Sequence, residues 1–102
     1  PNMLMKPAPN MIVLAADDNV GVALRDIAAG AKAEDAAGHG LQALEEIPQG
    51  HKIALRTIGS GERIIRLGVP VAIATAPIAQ GRLVHVHNVK SQYLDNDHDH
   101  FE

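Results

Sequence analysis

Two imidazoles one residue apart, in the run Val84-His85-Val86-His87-Asn88, are the strongest chemical lead in this sequence. Read as an extended strand, the run sends successive side chains to opposite faces, so His85 and His87 share a face with roughly 6 to 7 Å between their Cα atoms. At that separation both rings can approach one metal ion or bracket one carboxylate. Two imidazoles do not complete a catalytic metal site, which usually takes three protein ligands and keeps one position open. The third must come from His51, Asp17, Asp18 or another chain. His51 and Lys52, directly after Gly50, form a second cluster. An ammonium can hold a carboxylate as a point charge, and a histidine titrating near neutrality can move a proton. Neighbours on a strand face opposite ways, so only one of the two faces a shared site. Asp17, Asp18 and Asn19 offer oxygen ligands for a cation or simply an ordinary turn. Asn88 either orients a hydroxyl or closes a turn after its strand.

The elements that must position these groups are strands. Four corners repeat one phrase, Ile27 to Gly30, Ile47 to Gly50, Ile58 to Gly61 and Ile78 to Gly81. In each the Ile plugs into a core and the Gly three residues on permits the positive φ of a tight turn. Short β-branched runs flank them, so the fold class expected is all-β. Met11 to Leu14 reads as a strand, and Val20, Val22 and Leu24 alternate at period 2 into the first corner. Ile53 and Leu55 alternate into the third. Ile64, Ile65 and Leu67 precede a turn at Gly68, Val71 and Ile73 precede the fourth corner, and Leu83 to Val89 reads as the last strand. Residues 32–46, interrupted by Gly38 and Gly40, read as a hairpin excursion. Ala23 to Gly30 aligns with Ala54 to Gly61 without a gap, and the corners at 27 and 47 are spaced like those at 58 and 78, the mark of a duplicated unit.

Composition bounds the function. One domain of 102 residues with 46% apolar residues buries one modest core, and with Tyr93 and Phe101 as its only aromatics that core is aliphatic. Stacking modes of nucleic-acid binding lack their platforms. Net charge is −3, but Asp95, Asp97, Asp99 and Glu102 crowd the end, leaving residues 1–94 with 9 basic and 8 acidic groups and no basic footprint for nucleic acid. Cysteine is absent, which excludes disulfides and thiolate metal sites. No apolar run approaches a membrane span or signal core, so a cytoplasmic protein is expected. Residues 1–10 read as a loose lead-in, 11–90 as the domain, and 91–102 as a tail whose Asp and His content suits metal but whose polarity without periodicity predicts disorder.

The run Asp18 to Leu24, then Ile47-Pro48-x-Gly50-His51-Lys52-x-Ala54-Leu55, then Ile58-x-x-Gly61-Glu62, Gly68, and Ile78-x-x-Gly81-x-x-Val84-His85-Val86-His87-Asn88-Val89 resembles the N-terminal SAF domain of altronate and galactarate dehydratases. It also resembles the separately encoded small subunit of related lyases, including sulfolactate sulfo-lyase. The resemblance covers about residues 11 to 90 and implies a β-clip fold beside a much larger catalytic domain or subunit. That larger part would eliminate water, or sulfite, from a sugar acid or other 2-hydroxy acid with a divalent metal, commonly Fe(II). His85 and His87 would then be metal ligands at the rim of the site. His51 and Lys52 would join the catalytic set, and Asp18, Asn19 and Asn88 would bind substrate. Homo-oligomers are expected in isolation, because a short clip has many strand edges to cover. A noncatalytic carbohydrate-binding or assembly module is the alternative from another class, with no evident need for His-x-His.

Overall fold

All four corners form as the sequence requires. Gly30, Gly50, Gly61 and Gly81 take φ of 84°, 81°, 83° and 91°, and Ile27, Ile47, Ile58 and Ile78 are buried. The computed structural model describes residues 8–91. Its strands are β1 (Met11–Ile12), β2 (Val20–Ala23), β3 (Lys32–Glu34), β4 (Gly40–Gln42), β5 (Lys52–Ala54), β6 (Arg63–Arg66), β7 (Val69–Ala74), β8 (Leu83–Val84) and β9 (Val89–Ser91), with no helix among the described residues. All pairings are antiparallel: a four-stranded sheet β1-β2-β5-β8, a hairpin β3-β4 and a sheet β6-β7-β9.

The four-stranded sheet lies between two aliphatic cores, and β5 shows how. Ala54 joins Val20, Val84, Ile58, Ile64 and Ile78 on one side, while Ile53 joins Met11, Ala23, Ile27 and Ile47 on the other. Successive side chains of a strand serve opposite faces, so one strand feeds both cores. Each core takes one pair of corner isoleucines. Ile27 and Ile47 exchange two backbone hydrogen bonds of 2.9 and 2.8 Å, and Ile58 and Ile78 exchange two of 2.8 Å.

The duplication runs through the whole fold at a constant offset of 31 residues. Gly30 N–H donates to the Ala43 carbonyl as Gly61 N–H does to Ala74, and Gly50 donates to Ala23 as Gly81 does to Ala54. Lys32 pairs with Gln42 in β3-β4 where Arg63 pairs with Ile73 in β6-β7. The hairpin expected at 32–46 is thus the smaller twin of β6-β7.

Two expectations are corrected. The alternation of Val20, Val22 and Leu24 does not mark a core face: Val20, Gly21 and Ala23 are buried, and Leu24 is 43% exposed. In β7 the buried residues are Ala72 and Ala74, with Val71 and Ile73 partly buried beside them. With cores on both sides of a sheet, period 2 no longer separates wet from dry, and small residues fill the closest approaches. Second, Leu83 to Val89 is not one strand; β8 stops at Val84 and a turn occupies residues 85–88 before β9. Ser91, read as the start of the tail, is buried in β9, and the remainder of that tail lies outside the described residues.

One corner carries a pH prediction. The Glu62 carboxylate accepts the Gly59 N–H at 2.8 Å and pairs with Arg56 at 2.7 Å, and that backbone bond, with Arg56 second, holds its pKa below the usual 4.5. A depressed carboxylate pKa stabilises the fold above the unfolded value, and that stabilisation fades as pH falls through the folded value. Urea midpoints of wild type and Glu62→Gln should therefore differ at pH 7 and converge well below pH 4.5. A gap that persists in acid would show that the carboxylate charge is not its source.

Candidate functional site

The two histidines that meet are His51 and His85, and strand register brings them together. β5 pairs with β8 through Ile53 opposite Leu83 and Lys52 opposite Val84; the next step along that ladder sets His51 opposite His85. Their ring centroids are 4.8 Å apart with the planes at 54°. Directly opposed residues of an antiparallel ladder have Cβ atoms about 4.5–5.5 Å apart, which suffices for ring contact. In the first half of the duplicated fold the equivalent pair is Val20 opposite Ala54, both core residues.

Both imidazoles stand on braced backbone. His51 closes the second corner, its N–H donating to the Pro48 carbonyl at 3.0 Å and its carbonyl accepting from Ala23 N–H at 2.9 Å. Its ring Nδ1 lies 3.3 Å from the Gln49 carbonyl. The tautomer that donates there leaves a lone pair on Nε2. His85 opens the 85–88 turn, where Asn88 Oδ1 accepts the His85 N–H at 3.0 Å, Asn88 N–H donates to the His85 carbonyl at 3.0 Å, and Asn88 Nδ2 donates to the Leu83 carbonyl at 2.8 Å. Asn88 thus closes the turn that carries His85. His87 sits exposed within that turn. The shared strand face expected for His85 and His87 does not exist, because the chain between them turns.

Lys52 points to the other face of β5, opposite Val22 and Val84. It is half-buried, and desolvation, with Arg66 nearby as a second cause, lowers its pKa from 10.5. A lowered lysine pKa means that the charged form is disfavoured by folding, a cost present at neutral pH and relieved as pH rises through the folded value toward 10.5. Lys52→Met should raise the urea midpoint of the isolated chain at pH 7, with the gain shrinking above pH 10. A lower midpoint at pH 7 would show that the ammonium stabilises the fold.

Asp18 and Asn19 are engaged by the fold. Asp18 Oδ1 accepts the Gly68 N–H at 2.8 Å, and Oδ2 accepts those of Leu67 at 2.9 Å and Ala15 at 3.1 Å. They brace the β6-β7 turn, in which Leu67 (φ 57°) and Gly68 (φ 73°) are both left-handed. Asn19 Nδ2 donates to the Arg63 carbonyl and its Oδ1 accepts the Ile65 N–H, both at 2.8 Å. Among the described residues no three His, Asp or Glu side chains gather as a metal-binding group. A cavity of about 380 Å³, walled by Met11, Val13, Leu41, Leu55, Asp35 and His39 among others, includes neither His51 nor His85. No described helix is long and apolar enough to cross a membrane.

The fold is all-β, and the family model for the altronate/galactarate dehydratase SAF domain matches residues 9–92. The chain belongs to that family. It is 37% identical over 86 residues to altronate dehydratase of Bacillus subtilis and, over the same length, to that of Escherichia coli, in each case 84% of this chain and 17% of the relative. Over 48 residues it is 42% identical to (2R)-sulfolactate sulfo-lyase subunit alpha of Chromohalobacter salexigens, 47% of this chain and 51% of that subunit. The chain therefore spans about a sixth of the altronate dehydratases it matches.

Proposed function

We propose that this chain is the SAF domain or small subunit of a hydroxy-acid dehydratase of the altronate and galactarate type, with elimination completed by a larger domain or subunit. The observation that carries this reading is the match across most of this chain to a small part of enzymes named for that reaction. In the elimination a base takes the proton from the carbon beside the carboxylate, the hydroxyl on the neighbouring carbon leaves as water, and a carbon–carbon double bond forms between them. From this chain the imidazoles of His51 and His85 lie at the rim, where one neutral ring can accept a proton or a pair can hold an anion or a cation. Lys52 faces away from this pair, across β5, and holds no substrate group in this reading. Imidazole nitrogens suit a divalent cation, Fe(II) included, and such a cation, when bound, supplies polarisation of the carboxylate or the leaving oxygen. His87 has no role in this reading.

The partner follows from where the concave surface lies. Ligand pockets that bury a small molecule run to several hundred cubic ångströms, and the cavity described above lies away from His51 and His85. We place the assembly in the cytoplasm, where a chain without cysteine loses nothing. The match to a sulfo-lyase alpha subunit favours a second reading with sulfite as leaving group.

The test combines mass and turnover. The purified chain should self-associate, with a hydrodynamic mass above 10.8 kDa, and should not turn over altronate, galactarate or sulfolactate with Fe(II), Mn(II) or Mg(II). Adding a large dehydratase subunit encoded beside it should produce turnover. Turnover by the chain alone would end the subunit reading, and inactivity of the mixture would shift weight to a noncatalytic carbohydrate-binding or assembly module.

A further inference from the structure

We infer that His51 and His85 form a two-imidazole site on this chain for a divalent cation of borderline softness, of the Zn(II), Ni(II), Co(II) or Fe(II) class, and not for Mg(II) or Ca(II). As the metal of an elimination site it rests on the dehydratase reading; as a property of the chain it rests on geometry alone. Two imidazole nitrogens about 2.0–2.1 Å from one tetrahedral ion place their ring centroids about 5 Å apart, and the observed separation is 4.8 Å. Tilted planes, here at 54°, let both ring edges converge on one point.

The pair is set before any ion arrives. Its cross-strand position follows from the β5-β8 register, the 48–51 turn holds His51, and the Asn88 side chain closes the turn beneath His85. The Gln49 carbonyl 3.3 Å from His51 Nδ1 is the type of outer contact that fixes a ligating tautomer and leaves Nε2 for the metal. Nitrogen donors favour the later first-row ions, whereas Mg(II) and Ca(II) want oxygen. Among the described residues no third His, Asp or Glu gathers there, and two imidazoles alone should bind weakly.

The test is Zn(II) titration of the full chain by calorimetry, with Ni(II) broadening of the histidine ring signals in NMR spectra. His98 and His100 are replaced by Ala in every sample to remove the tail as a competitor. Ni(II) at a small fraction of the protein concentration should broaden the rings of His51 and His85 ahead of those of His39 and His87. His51→Ala and His85→Ala should each weaken Zn(II) by roughly tenfold or more, since each leaves a single imidazole without its neighbour's effective concentration. His87→Ala should leave Zn(II) affinity within about twofold, the bound expected for a residue outside the chelate, and Mg(II) should give no heat. The amide spectrum of each variant checks that the fold is retained. Zn(II) binding that depends on His87 as much as on His85, binding that survives loss of both His51 and His85, or no binding at millimolar Zn(II) would each overturn the inference. Absent binding with an active assembled enzyme leaves the dehydratase reading standing, and intact binding with an inactive assembly does the reverse.

Discussion

Asn19→Leu should be the most destabilising single substitution outside the corners, lowering stability by at least about 3 kcal/mol. Asn19 is 1% exposed, and its side chain satisfies the Arg63 carbonyl and the Ile65 N–H of β6. Its own backbone bonds the Ile65 carbonyl at 3.3 Å and the Leu55 N–H at 2.9 Å. Leucine keeps the branching and the number of side-chain heavy atoms but removes the amide, so two buried backbone groups lose their partners at about 1–3 kcal/mol each. Branched methyls in a slot shaped for a planar amide add strain of the order seen on overpacking, about 1–3 kcal/mol. Urea unfolding measures the loss. A change below about 1 kcal/mol would mean that water replaces the amide and that Asn19 is not the tie between β6 and the central sheet.

The second large effect separates two corner glycines that look alike in the sequence. Gly61 and Gly81 both sit at positive φ, so alanine at either costs roughly 1–3 kcal/mol in backbone strain. A Cβ at Gly61 meets nothing within 4 Å, whereas one at Gly81 collides with the Gln42 carbonyl oxygen and lies 3.2 and 3.3 Å from Leu44 Cγ and N. The Gly81 N–H and carbonyl are also committed, to the Ala54 carbonyl at 2.9 Å and the Leu44 N–H at 2.9 Å, so the corner has little freedom to retreat. Gly61→Ala should then cost strain alone and leave a cooperative transition. Gly81→Ala should cost at least about 2 kcal/mol more, in the range of severe core substitutions. Equal losses at the two sites would show that the Gly81 corner yields without disturbing β4.

The corners could be read from the sequence because they rest on one local requirement, an apolar plug three residues before a left-handed turn, repeated at fixed spacing. The hairpin at 32–46 could be read for the same reason, through Gly38 and Gly40. Burial within the strands could not. Gly21, Ala23 and Ala54 are buried while Leu24 is exposed, because a sheet sandwiched between two cores rewards small residues where layers close up rather than apolar residues in alternation. The break after Val84 was hidden for another reason. Val84 to Val89 has strand-like composition, and the Asn88 side chain, bonding back to residues 83 and 85 beside the backbone bond from Asn88 N–H to the His85 carbonyl, makes it a turn.

The site was half visible. His51 and His85 were both candidates, but a reading along one strand paired His85 with His87, when the partner lies across the ladder. One signal could have found it. Applying the 31-residue offset to an antiparallel Val20–Ala54 pair places residue 51 opposite residue 85. Asp18 and Asn19 stood out in the family pattern for a reason that sequence alone left open, and here both are engaged in bracing β6 and its turn.

The dehydratase reading requires that the cross-strand imidazole pair of this chain serve an elimination completed elsewhere. Its most direct test is kcat/KM for hydroxy-acid dehydration by the chain assembled with a large dehydratase subunit, comparing His51→Gln, His85→Gln and His87→Gln. Loss of a proton-transferring or ligating imidazole is expected to cost roughly 10²–10⁴-fold. The first two variants should show that loss with assembly intact by mass, and the third should stay within about threefold of wild type, outside the range for lost proton transfer. Full turnover by His51→Gln and His85→Gln, or a loss confined to His87→Gln, would contradict it.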